Sequence, residues 1–217
     1  MQLSGFQQIK DHLIHLPLPG LSGQLAMAPA VRAVEAERAD QRTARLSGVL
    51  VLCYADTQEV MRMVLMQRTD YGGEHSGQIS FPGGKMEPGD ADLQHTALRE
   101  SMEEVGTDPA KVMVLRELSE LYIPPSHFMV HPYLGFMAHE PLLKADPTEV
   151  AAILTPRLAD LLNPSAVRSI QVHSRRYGSM EVPCYRVDGH SIWGATAMIL
   201  SEALLLIRKA EEVSRVS

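Results

Sequence analysis

From Ala91 to Gly106 the chain reads ADLQHTALRESMEEVG, and no other stretch limits the fold as strongly. Good helix formers run between candidate N-caps at Asp90 and Asp92 and a natural stop at Gly106, so a helix is expected over residues 91–105. With side chains turning through roughly 100° per residue, Gln94, Leu98, Met102 and Val105 share one side, three of them apolar. Glu100, Glu103 and Glu104 gather on the other. One face is expected to pack, and the opposite face to carry concentrated negative charge.

That charge opposes the helix. Glu100 and Glu104 are i,i+4 neighbours, a like-charge pairing that costs a few tenths of a kcal/mol, and Glu103 and Glu104 stand at the end whose dipole disfavours anions. Arg99, four residues before Glu103, neutralises one of the three. A hard divalent cation held by carboxylate oxygens turns the repulsion into coordination; a solvated acidic face is the plain alternative. Upstream, SFPGGKMEPGD over residues 80–90 reads as a short strand, a glycine turn at Gly84, a second turn at Pro88 and Gly89, and a helix start. Glycines there let the backbone approach a metal or phosphate closely, and Lys85 adds a cation beside the loop.

As a whole, GGKMEPGDADLQHTALRESMEEVG resembles the Nudix box, in which a glycine, a spacer and an acid lead to Arg-Glu-x-x-Glu-Glu-x-Gly. Gly84, Asp90, Arg99, Glu100, Glu103, Glu104 and Gly106 carry the match. Two departures stand out. The first acid is Asp90 rather than the usual glutamate, with Glu87 as the other candidate, and eight residues rather than seven separate Asp90 from Arg99. This spacing is similar to the variant in the coenzyme A diphosphatase branch. The upstream LMQRTDYGGEHSGQISFPGG also resembles that branch's second signature through Arg68, His75, Gly77, Phe81, Pro82, Gly83 and Gly84. Many members have a leucine and an arginine between the positions of Arg68 and His75; this chain has Gly72 and Gly73, so no contact of that arginine carries over.

With 217 residues and 45% apolar content, one domain with a sizeable core is expected, with an N-terminal helical extension over residues 1–45 and a Nudix hydrolase domain over 46–217. A formal net charge of −6 provides no basic surplus for nucleic acid or anionic membrane. The two cysteines, Cys53 and Cys184, read as packing residues in a reducing cytoplasm. No leader-like start or long apolar run is visible, so neither export nor membrane insertion is expected.

Apolar positions at Phe6, Ile9, Leu13 and Ile14 predict a short helix over residues 4–16, closed by Pro17 and Pro19. Residues 20–46 read as a polar, alanine-rich connection. GVLVLCYAD and MRMVLMQR predict a hairpin, KVMVLRELSELYI and HFMVHPYLGFMAH one strand each, and SIQVHSRRY with EVPCYRVDG a further pair. GATAMILSEALLLIRKAEEV predicts a long closing helix. Strands between helices make an α/β protein, and the resemblance implies a Nudix-type α/β/α sandwich with a mixed β-sheet.

The chemistry expected is hydrolysis of a diphosphate linkage, with Mg²⁺ or Mn²⁺ as cofactor. Glu100, Glu103 and Glu104, with a carbonyl at Gly83 or Gly84, form the candidate metal-ligand set, and Arg99 orients a glutamate. Glu100 and the distal Glu149 are the two candidates for general base. Arg68, His75 and Lys85 are candidate phosphate contacts; Tyr122, Ser126 and Trp193 are candidates for a wall against the rest of the substrate, while His127 and His131 read as structural. By resemblance the substrate is CoA-like, coenzyme A or an acyl-CoA. The alternatives are another nucleoside diphosphate derivative such as ADP-ribose or NADH, or a non-catalytic nucleotide-sensing module. Related folds pair into homodimers, which makes the N-terminal helix a candidate contact.

Overall fold

The computed structural model describes residues 1–29, 43–70, 77–174 and 178–216. In chain order its helices are α1 (Leu3–His15), α2 (Gly20–Leu25), α3 (Leu93–Val105), α4 (Leu158–Leu162) and α5 (Gly194–Val216). The strands are β1 (Arg45–Ala55), β2 (Met61–Met63), β3 (Leu65–Arg68), β4 (Ile79–Ser80), β5 (Gly83–Lys85), β6 (Met113–Glu117), β7 (Leu121–Ile123), β8 (Phe128–Met137), β9 (Val150–Leu154), β10 (Val167–Ser174), β11 (Gly178–Val187) and β12 (His190–Trp193).

β1 and β8 lie side by side in parallel, from Arg45 opposite Phe128 to Tyr54 opposite Met137. Every other pairing in their sheet is antiparallel: β2 and β5 on β1, β6 and β7 on β8. The sheet is therefore mixed, as expected. Alternation along β1 builds both layers of the core, because successive strand side chains point to opposite faces. Val51, Cys53 and Ala55 join the cluster made with α1 and α5. Leu50, Leu52 and Tyr54 join Ala97 and Val105 of α3 on the other side. Helices thus cover both faces of the sheet, giving the α/β/α sandwich. Two smaller sheets, β4-β3-β9 and β10-β11-β12, flank it.

The N-terminal helix belongs to this core. Phe6, Ile9 and Leu13 are buried, and the Phe6 ring stacks on Phe136 with centroids 5.1 Å apart. Of the connection expected over 20–46, residues 20–25 form α2 and residues 30–42 lie outside the described residues. Cys53 and Cys184 are buried free thiols, and burial pushes the Cys53 thiol up to about 12. Among the described residues no helix is long and apolar enough to cross a membrane.

KVMVLRELSELYI is two strands, not one. Between them the Ser119 amide donates to Glu202 and its carbonyl accepts from Gln24, so side chains claim the groups that a continuous ladder needs. Opposite, Pro132 of β8 has no N–H to offer; its carbonyl accepts from Leu118. β9 and β12 carry no expectation above: they are short, and long-range pairing with β3 and β11 defines them.

Candidate functional site

α3 begins and ends where local chemistry places it. The Asp92 carboxylate accepts from the His95 amide as N-cap, and Gly106 closes the helix in the left-handed conformation at φ 76°. Its packing face differs from the expected one. Thr96, Ala97, Ser101, Glu104 and Val105 are buried, whereas Gln94 is exposed and Met102 is 48% exposed. Close approach to β1 explains the shift: a Cβ at Gly48 would overlap the Leu93 carbonyl and lie 3.0 Å from the Ala97 amide. Only small residues fit so near the sheet. The buried hydroxyls find partners, Thr96 on Asp90 and Ser101 on Thr107.

Glu104 therefore lies on the packed side of the helix, not on the opposite, charged face expected for it. It is 2% exposed. Its Oε2 accepts from the Gly83 amide at 2.7 Å, while its Oε1 is buried without a hydrogen bond. Arg68 Nη1 stands 3.5 Å from Oε1. Burial outweighs both favourable neighbours and raises the Glu104 carboxyl to about 8. Glu100 is also raised by burial, opposed by Arg99. Its carboxylate rests on the backbone at Gly84, where an added Cβ would fall 2.5 and 2.6 Å from its two oxygens. Glu103 is about half exposed, in the same sense as a surface residue.

Arg99 braces the cluster. Its Nε and Nη2 reach the two oxygens of Asp90 at 2.9 and 3.0 Å, and its Nη1 reaches Glu100 at 2.9 Å and Glu103 at 3.0 Å. Asp90 also accepts from the Glu87 amide and the Thr96 hydroxyl. The Arg99 bonds hold its carboxyl well below the usual carboxylate range. Between the two candidates for the first acid, the structure selects Asp90, since Glu87 is exposed.

The loop after β8 closes the other side. Amides of Lys144 and Asp146 donate to the Val105 and Glu104 carbonyls, satisfying groups that a helix end leaves open. No local signal in the sequence announces these bonds. The same loop carries Glu149, whose Oε2 is 3.9 Å from Arg68 Nη2. Lys85 ends β5 with its side chain exposed and its carbonyl accepting from Arg99. His75 lies outside the described residues. Tyr122 is buried with its hydroxyl bonded to His127, the Ser126 carbonyl accepts from Arg45, and Trp193 ends β12.

The NUDIX domain model matches residues 44–175, more than half of the chain. The chain belongs to the Nudix family. It is 36% identical to the uncharacterized Nudix hydrolase NudL of Photorhabdus laumondii over 140 residues, which cover 64% of this chain and 74% of that one. With the uncharacterized NudL of Yersinia enterocolitica it shares 34% over 138 residues, covering 64% and 70%. In fold it is similar to the MutT/nudix family protein from Enterococcus faecalis, at TM-score 0.51 and 16% identity, over 92% of this chain and 73% of that one. The protein is thus a Nudix hydrolase, a class that cleaves diphosphate linkages and generally uses divalent metal ions.

The donors fit such an ion: hard carboxylate oxygens at the end of one helix, one of them buried without a hydrogen bond. Among the described residues no three His, Cys, Asp or Glu side chains already surround a common point. Arginines hold the carboxylates instead, Arg99 on Glu100 and Glu103, Arg68 on Glu104.

Proposed function

We propose that this Nudix hydrolase cleaves the diphosphate linkage of coenzyme A or an acyl-CoA, giving adenosine 3′,5′-bisphosphate and 4′-phosphopantetheine or its acyl form. The observation that carries this reading is the convergence of two motifs on one carboxylate. The Gly83 amide from the Phe-Pro-Gly-Gly run and the Arg68 guanidinium both meet Glu104 of the box, as expected if the upstream signature and the box serve one substrate.

Glu100, Glu103 and Glu104, with the Gly84 carbonyl, are the residues proposed to hold Mg²⁺ or Mn²⁺. When bound, that ion supplies positive charge for the phosphoryl oxygens and makes water more acidic. Glu100 receives the proton of the attacking water: burial raises its proton affinity, and Arg99 fixes its direction. Glu149 is the second candidate for that role. Lys85 and His75 are proposed to contact phosphate.

Gly72 and Gly73 favour a second reading, in which the substrate is another nucleoside diphosphate derivative such as ADP-ribose or NADH. The intact Arg-Glu-x-x-Glu-Glu argues against a purely nucleotide-sensing module. A panel of coenzyme A, an acyl-CoA, ADP-ribose and NADH, incubated with Mg²⁺ or Mn²⁺ and read by mass spectrometry of the products, separates the two. Cleavage of coenzyme A at its diphosphate is expected, and chelation should stop it. Efficient cleavage of ADP-ribose beside untouched coenzyme A overturns the first reading.

A further inference from the structure

The two arginines at the site are held very differently. Arg99 is fixed: its fork lies bidentate on buried Asp90, and two more carboxylates share its remaining nitrogen. Arg68 has a fixed backbone and a loosely held side chain. Its amide donates to the Gln78 carbonyl at 3.0 Å, and the β3–β9 register shifts beside it, so that Gln67 pairs with Ala152 and Arg68 with Val150. Such irregularities re-aim side chains near active sites. Here the guanidinium is directed between Glu104 and Glu149, at 3.5 and 3.9 Å, distances beyond a charge-assisted hydrogen bond. The oxygen it approaches is Glu104 Oε1, the one buried without a hydrogen bond.

We propose that Arg68 is a displaceable counterion, holding the gap between Glu104 and Glu149 in the cation-free protein and turning to the substrate's phosphates once a divalent cation takes its place. The inference rests on the reading that the box carboxylates hold that cation. A guanidinium cannot shed its proton, so it cannot leave Glu104 as a neutral group. It needs another anion, and a diphosphate offers oxygens that match its planar fork. Two consequences follow. Arg68 and the cation compete for Glu104, and substrate binding, by drawing Arg68 away, favours the cation. By linkage the cation favours substrate to the same degree.

The test is an Mn²⁺ titration of the full chain, following the electron paramagnetic resonance of the free ion with and without the non-hydrolysable α,β-methylene-ADP. Arg68→Gln is expected to bind Mn²⁺ alone about tenfold more tightly than wild type, because one positive charge has left the site. The tightening caused by the nucleotide should shrink at least several-fold relative to wild type. Arg68→Lys keeps the charge without the fork and serves if the glutamine variant does not fold: its affinity for Mn²⁺ alone should stay near wild type while the nucleotide's effect shrinks. Unchanged or weaker Mn²⁺ binding by Arg68→Gln overturns the proposal, as does an undiminished nucleotide effect in either variant. Glu104→Gln separates the two levels of inference. If that variant binds Mn²⁺ like wild type, the assignment of the cation to the box carboxylates fails, and the counterion role with it.

Discussion

Asp90→Asn isolates the brace through which Arg99 holds Glu100 and Glu103. The Asp90 side chain is 1% exposed and accepts four hydrogen bonds, two of them from an Arg99 side chain that is 17% exposed. Asparagine keeps the shape but replaces one accepting oxygen with a donor and removes the charge. Taking one partner from a buried ion pair costs about 3–5 kcal/mol. Arg99 retains Glu100, Glu103 and some access to water, which sets the expectation at the lower end, about 3 kcal/mol. At about 2–4 °C per kcal/mol for a chain of this size, the unfolding midpoint should fall by about 6–12 °C at pH 7.

The acid limb gives an independent check. Asp90's folded pKa lies below its unfolded value, so its contribution is fully present above the unfolded pKa of about 3.9 and is lost as pH falls through that value towards the folded one. The gap between wild type and Asp90→Asn should therefore narrow below about pH 4. Circular dichroism melts across pH 3–7 are the assay, with exposed Glu87→Gln as a control expected to stay within about 1 °C. A midpoint for Asp90→Asn within 2 °C of wild type at pH 7, or a gap that persists unchanged in acid, would refute the reasoning.

Glu100→Gln and Glu104→Gln should each lower diphosphate turnover by at least about a hundredfold while far-ultraviolet dichroism stays native; wild-type rates at limiting metal in both would remove them from the site. Gly84→Ala should reduce turnover more than stability, because the added methyl meets the Glu100 oxygens and not the apolar core. An unchanged rate would show that the Glu100 position is unimportant. Phe6→Ala should cost about 3–5 kcal/mol, since its ring is fully buried and stacked on Phe136. A melt near wild type would mean that α1 is not part of the cooperative core.

What could be read along the chain was whatever nearest neighbours decide. Asp92 caps α3 and Gly106 ends it because both act on amides and carbonyls within a few residues. The strand character of β1 and β8, the closing helix and the Arg-Glu-x-x-Glu-Glu cluster are visible in patterns of the same short range; the parallel pairing of β1 with β8, across about 80 residues, is not. Tertiary structure decided the rest. Glu104 is buried because Gly48 lets α3 settle on β1, and a helical wheel of apolar residues cannot register that contact; it pointed to Met102 instead. Asp90 rather than Glu87 pairs with Arg99 because the turn folds one acid inward and leaves the other in water. Arg68, Glu104 and Glu149 meet only through the pairing of β3 with β9 and the loop that follows β8. Local sequence sets which groups exist and where α3 starts and stops; burial and charge pairing, which depend on what lies across the fold, set what those groups can do.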